Sequence, residues 1–100
     1  MIKRFVKLEF APERVTEFMG IFHNSKDKIR GFDGCHEMKL HKSTTAENVL
    51  FTVSVWESED HLNKYRHSEL FIATWEKTKK CFNGKPEAWS LELVDGVPFS

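Results

Sequence analysis

No run of this 100-residue sequence is apolar for long enough to span a bilayer. The basic start, Met1-Ile2-Lys3-Arg4-Phe5, is not followed by an apolar stretch of signal-peptide length, so no leader is expected. Neither sign of charge prevails: fifteen Lys and Arg stand against fifteen Asp and Glu. Binding a phosphate backbone requires a concentrated basic face, which excludes nucleic acid as the main partner. The same balance leaves little attraction to an anionic membrane. Cysteine is scarce too. Cys35 and Cys81 lie far apart and make no disulfide framework, so the expectation is two buried, reduced thiols in a cytoplasmic protein. There is no linker, repeat or low-complexity segment, and the length fits one domain. Residues 1–95 are taken as that domain and 96–100 as a tail.

Aromatic side chains are plentiful: thirteen in all, nine of them Phe, with Tyr65 the sole tyrosine. They can fill a core, wall a pocket, or do both. The pattern around them alternates and then turns helical. From Ile2 to Phe10, Ile2, Val6, Leu8 and Phe10 fall on one face, with Lys3, Phe5, Lys7 and Glu9 on the other. Arg4 shares the apolar face, where it can pair with a carboxylate or hold an acidic substrate. Pro12 suits the first turn of a helix predicted over 12–30, whose apolar positions include Val15, Phe18, Met19, Phe22 and Ile29. A Gly31–Gly34 turn leads to a strand from Cys35 to His41, a polar loop, and a third strand from Asn48 to Trp56. Ser58 and Ser68 read as N-caps of a short helix and a longer one, the latter reaching Phe82. Asn83-Gly84-Lys85-Pro86 stops it, and Ala88 to Val94 forms the fourth strand.

The order is β-α-β-β-α-β, an α+β ferredoxin-like arrangement with a four-stranded antiparallel sheet and its helices on one face. The other sheet face then carries Phe5, part of the apolar set of the third strand and one face of the fourth. That is too much apolar area to leave in water, so the expected partner is a second copy of the chain, sheet against sheet. A chain of this size buries only about two-thirds of its unfolded surface, which makes association useful.

Three segments carry a family likeness: Phe32-Asp33-Gly34-Cys35, Val55-Trp56-Glu57-Ser58-Glu59 and Ser68-Glu69-Leu70-Phe71. With the strand order, they make the chain resemble the antibiotic-biosynthesis-monooxygenase family of the dimeric α+β barrel superfamily. The resemblance implies a homodimer and oxidation of a small aromatic or quinol-like ligand by molecular oxygen, without any cofactor. A non-catalytic protein that holds a small apolar metabolite in the same pocket is the alternative, and a structural dimer without a ligand is a third, since the superfamily also holds isomerases, dehydratases and proteins of no known activity. Many members have a His nine residues after the Trp that ends the third strand, and another before the aromatic matching Phe71. Tyr65 and Leu70 stand there instead. The haem-degrading branch of the superfamily needs an Asn, a Trp and an iron-ligating His, where this chain has Lys7, Tyr65 and Trp75. Haem degradation is therefore not implied.

The expected pocket lies between helices and sheet, lined by Phe18, Phe22, Trp56, Tyr65, Phe71 and Trp75. Trp56 is either a core anchor or a pocket wall whose N–H orients a substrate oxygen, and Trp75 leans towards core. Tyr65 and His36 are the candidates for proton handling, against plain readings as packed or surface side chains. No pair among His23, His36, His41, His61 and His67 has metal-ligand spacing, so no metal site is expected. Arg66 reads as part of a solvated helix face.

Overall fold

A computed structural model describes residues 1–97. Its elements run β1 (Ile2–Glu9), a short 3-10 turn (Pro12–Arg14), α1 (Val15–Arg30), β2 (Cys35–Lys42), β3 (Val49–Trp56), α2 (Glu59–Arg66), α3 (Glu69–Lys79) and β4 (Glu87–Leu91). The strands form one antiparallel sheet in the order β2-β3-β1-β4, which is the ferredoxin-like α+β arrangement.

The period-2 pattern of β1 is realised in its packing. Leu8 and, just beyond the strand, Phe10 are buried on the helix side, where they meet Phe18, Leu50 and Cys81. A second cluster joins Ile29, Cys35, Trp56 and Leu62. Both helices of the second half start on the expected serines. Ser58 Oγ accepts from the His61 backbone N–H at 3.3 Å, and Ser68 Oγ from that of Phe71 at 3.1 Å. Each cap satisfies a donor that the first turn leaves without an intrahelical partner.

Three boundaries differ from the sequence pattern by three residues. Pro12 does open a helical turn, but that turn is 3-10 and the α-helix proper begins at Val15. The second long helix ends at Lys79 rather than Phe82. Phe82 instead bridges Phe10, and the Asn83 and Gly84 N–H groups donate to the Glu9 carbonyl at 3.1 and 3.3 Å. The competing backbone partner at the end of β1 pulls the chain out of helix. The fourth strand stops at Leu91, which pairs with Lys3, because β1 begins one residue further on at Ile2. Leu93 and Val94 therefore lie outside the sheet and are almost fully exposed. Of the expected tail, residues 98–100 lie outside the described residues.

Gly34 closes the turn before β2 with φ +83°, a region open to glycine and costly for other residues. A Cβ there would run into the His61 ring, so the turn and α2 pack as closely as they do only because that atom is absent.

The face of the sheet away from the helices carries Phe5, opposite Val53 on β3 and Trp89 on β4. Val55, Phe51 and Leu91 extend this face by the same register. Trp89 and Leu91 are about half exposed, at 43% and 53%. Among the described residues, no helix is long and apolar enough to cross a membrane.

Candidate functional site

A cavity of about 350 Å³ opens between the helices and the sheet. That volume is near the lower end of the range of about 300–1,000 Å³ typical of small-molecule sites. Its floor is the helix-facing side of the two central strands, which contribute Arg4, Val6 and Leu8 from β1 and Thr52, Ser54 and Trp56 from β3. These are alternate positions of each strand, as a floor made from one sheet face requires. Its walls come from Phe18 and Phe22 on α1, Tyr65 and Arg66 on α2, and Phe71, Thr74 and Trp75 on α3.

Six of the seven residues singled out from the sequence, Phe18, Phe22, Trp56, Tyr65, Phe71 and Trp75, thus line one space. They do so as part of a connected series of rings. Phe32 meets Tyr65 edge-on at 5.5 Å, Tyr65 stacks on Trp56 at 4.8 Å, and Phe71 meets Tyr65 edge-on at 5.3 Å. Phe71 stacks on Trp75 at 5.8 Å, and Trp75 leads through Phe82 and Phe10 to Phe18 and Phe22. These centroid separations fall in or near the favourable range for offset and edge-to-face pairs. The series joins the two core clusters.

His36 is not part of this site. It is exposed beside a register irregularity in β2, with Nε2 3.5 Å from Glu57 Oε2, and does not line the cavity. Among the described residues, no group of His, Cys, Asp and Glu is arranged to hold a metal ion. One Ser–His–Asp set does assemble: Ser58 Oγ is 2.7 Å from His61 Nδ1, and His61 Nε2 is 3.7 Å from Asp33 Oδ2. Ser58 Oγ is already engaged as the helix cap, however, and none of the three lines the cavity. Its geometry serves the turn around Gly34 and not nucleophilic chemistry.

Two polar features of the lining decide what the cavity can do. The Trp56 indole N–H donates to Ser54 Oγ at 2.9 Å, so it is not free to orient a ligand as the sequence reading allowed. Ser54 keeps its own hydroxyl proton, which makes it a cavity donor polarised by the bond it accepts. The Tyr65 phenol is desolvated by burial among the rings, with a smaller contribution from nearby Cys35, and its pKa is pushed well above the ordinary 10.0. Tyr65 is thus a neutral hydrogen-bond donor at physiological pH, not a base.

Sequence reasoning missed the polar floor. Ser54 and Thr52 follow from β3 alternation once Trp56 is known to face the helices, and that was the available signal. Arg66 is exposed, as a solvated helix face implies, and it also borders the cavity. Arg4 is half-buried, as its place on the apolar face of β1 implied.

The comparisons with known proteins agree with this fold. A family model described as antibiotic biosynthesis monooxygenase matches residues 1–77. A Caulobacter crescentus CB15 protein described as a candidate antibiotic biosynthesis monooxygenase is 24% identical, with a TM-score of 0.88 over 94% of this chain and 90% of that one. Rv0793 from Mycobacterium tuberculosis superposes with a TM-score of 0.86 at 14% identity, over 97% and 98% of the two chains. A conserved protein of Methanosarcina mazei Go1 gives a TM-score of 0.86 at 20% identity, over 90% and 89%. No curated protein matches the chain. At these identities the solved structures speak for the fold, whereas the family model spans more than half of the sequence. The chain belongs to the antibiotic biosynthesis monooxygenase family.

Proposed function

We propose that the protein is a cofactor-independent monooxygenase that oxidises a small aromatic or quinol-like compound with molecular oxygen. The observation that carries this reading is the cavity itself: aromatic walls, a polar floor and a neutral phenol, Tyr65, within one space of substrate size. In the reaction a phenolic ring with a free para carbon takes one atom of O2 as a new carbonyl oxygen. The other atom leaves as water with the two hydrogens lost from the phenol and that carbon. The electrons come from the substrate, so the protein's task is to bind the ring, favour its anion and exclude water. Stacking on Trp56, Phe71 and Trp75 would hold the ring, and the Tyr65 and Ser54 hydroxyls would donate to its oxygen as negative charge develops there.

One observation favours a second reading. Among the described residues no histidine lines the cavity, and the one carboxylate residue that does, Glu87, sits on β4 opposite Lys7. A site without a general base fits a non-catalytic protein that stores or carries a small apolar metabolite.

The working form in either case is a homodimer in the cytoplasm, with residues 1–95 as its domain. The support is the apolar sheet face around Phe5, Trp89 and Leu91, together with two free thiols. Oxygen uptake by purified, metal-free protein with a panel of phenols whose para carbon is free, read together with the quinone formed, tests the activity. Uptake above buffer is expected. No uptake, alongside saturable quenching of tryptophan fluorescence, would select the binding protein.

A further inference from the structure

Arg4 and Arg66 line the same cavity, and neither has a carboxylate within ion-pair distance among the described residues. Arg4 is the more unusual of the two. It projects from a central strand into the space under the helices, directly across from Ser54, and is half-buried. Its one recorded hydrogen bond goes to Ser90 Oγ on β4, at 3.0 Å, although a guanidinium carries five N–H donors in a planar fork. Arg66 follows Tyr65 at the end of α2, so both cations border the Trp56–Tyr65 end of the cavity.

Burial lowers the pKa of Arg4 first, and the charge of Arg66 lowers it further, while Glu59 opposes them without closing an ion pair. Two like charges facing one partly desolvated space repel, and an anion placed between them relieves that repulsion while using the spare donors. Arginine suits the task, because its fork matches the two oxygens of a carboxylate.

We propose that Arg4 and Arg66 form an anion subsite at the Trp56–Tyr65 end of the cavity, and that the natural ligand is a small aromatic compound bearing a carboxylate. This rests on the cavity being the ligand site and specifies what that site selects. The ring lies among the aromatic walls, and its carboxylate reaches the two guanidinium groups.

Calorimetric titration with 2-naphthoate and with its methyl ester separates the two ideas, since neither probe needs to be oxidised. The acid is expected to bind about tenfold more tightly than the ester at low salt, as one or two charge-assisted hydrogen bonds would give. That preference should shrink with added salt and in Arg4→Gln and Arg66→Gln, with the ester's affinity held. Arg66 is exposed, so Arg66→Gln keeps the test open if Arg4→Gln does not fold. An ester that binds as well as the acid, or a preference that survives both substitutions, overturns the anion subsite and leaves the aromatic cavity standing. Failure of both probes to bind overturns both.

Discussion

The indole N–H of Trp56 donates to the hydroxyl of Ser54 at 2.9 Å, two residues back on the same strand and the same face. Trp56 is 1% exposed and Ser54 6%, so both partners are largely withdrawn from bulk water. The bond fixes the plane of the indole on which Tyr65 stacks, and so sets one wall of the cavity. Replacing Ser54 with Ala orphans a buried donor, which costs about 1–3 kcal/mol. A lower urea midpoint with unchanged m-value is the expected result. A midpoint equal to wild type would show that the bond holds nothing.

Tyr65 is different, because its hydroxyl has no hydrogen-bond partner within the described residues. Tyr65→Phe is therefore expected to leave stability unchanged while reducing affinity for a phenolic ligand about fivefold, the usual value of one hydrogen bond. Affinity for the same ring without its hydroxyl should not move. Equal losses for both ligands would mean that the phenol acts through packing.

The alkaline limb of stability takes contributions from two desolvated acids of this region, beside that of buried Cys81. Burial raises the pKa of Cys35 above its ordinary 9.0, and that of Tyr65 above 10.0. For such groups the unfolded chain loses its proton first, so their stabilising contribution is complete below the ordinary values and declines as pH rises through them. Denaturant titrations should show stability level with respect to these groups near neutrality, then falling above about pH 9. Each group limits the slope to about 1.4 kcal/mol per pH unit. Tyr65→Phe should flatten the portion above about pH 10. An identical slope in that variant would remove Tyr65 from the account.

Gly34→Ala tests the turn that seats α2. A left-handed residue other than glycine costs about 1–2 kcal/mol, and the new methyl would also press on His61. The variant should unfold at lower temperature, and His61→Ala combined with it should restore part of the loss. No recovery would place the whole cost in the backbone.

How much of this was legible beforehand depended on whether a signal was local. The alternation of Ile2 to Phe10, the capping serines and the Gly31–Gly34 turn gave the elements, because each is decided by neighbours in sequence. The six aromatics were legible as a set once the helices were known to cover one sheet face. Distant contacts were not. That β1 takes Asn83 and Gly84 as partners, ending the last helix early, depends on chain segments about seventy residues apart. Arg66 looked like any charged residue on a short polar helix, and it is exposed as such; only the approach of α2 to the sheet sets it at the edge of the cavity. His36 sat beside a buried cysteine in sequence, but a strand irregularity between Cys35 and Glu37 leaves it outside, next to Glu57.

Filling the space between helices and sheet tests most directly whether a small aromatic compound binds there. Thr52 lines the floor between Val6 and Leu40 on the neighbouring strands, and Thr52→Phe would place a ring in the space proposed for the ligand's ring. Tryptophan-quenching titrations with 1,4-naphthoquinol should saturate with the native protein and vanish with Thr52→Phe, at similar unfolding midpoints. Saturable quenching of undiminished affinity in a folded Thr52→Phe protein would contradict the account, because the ligand would then be binding elsewhere.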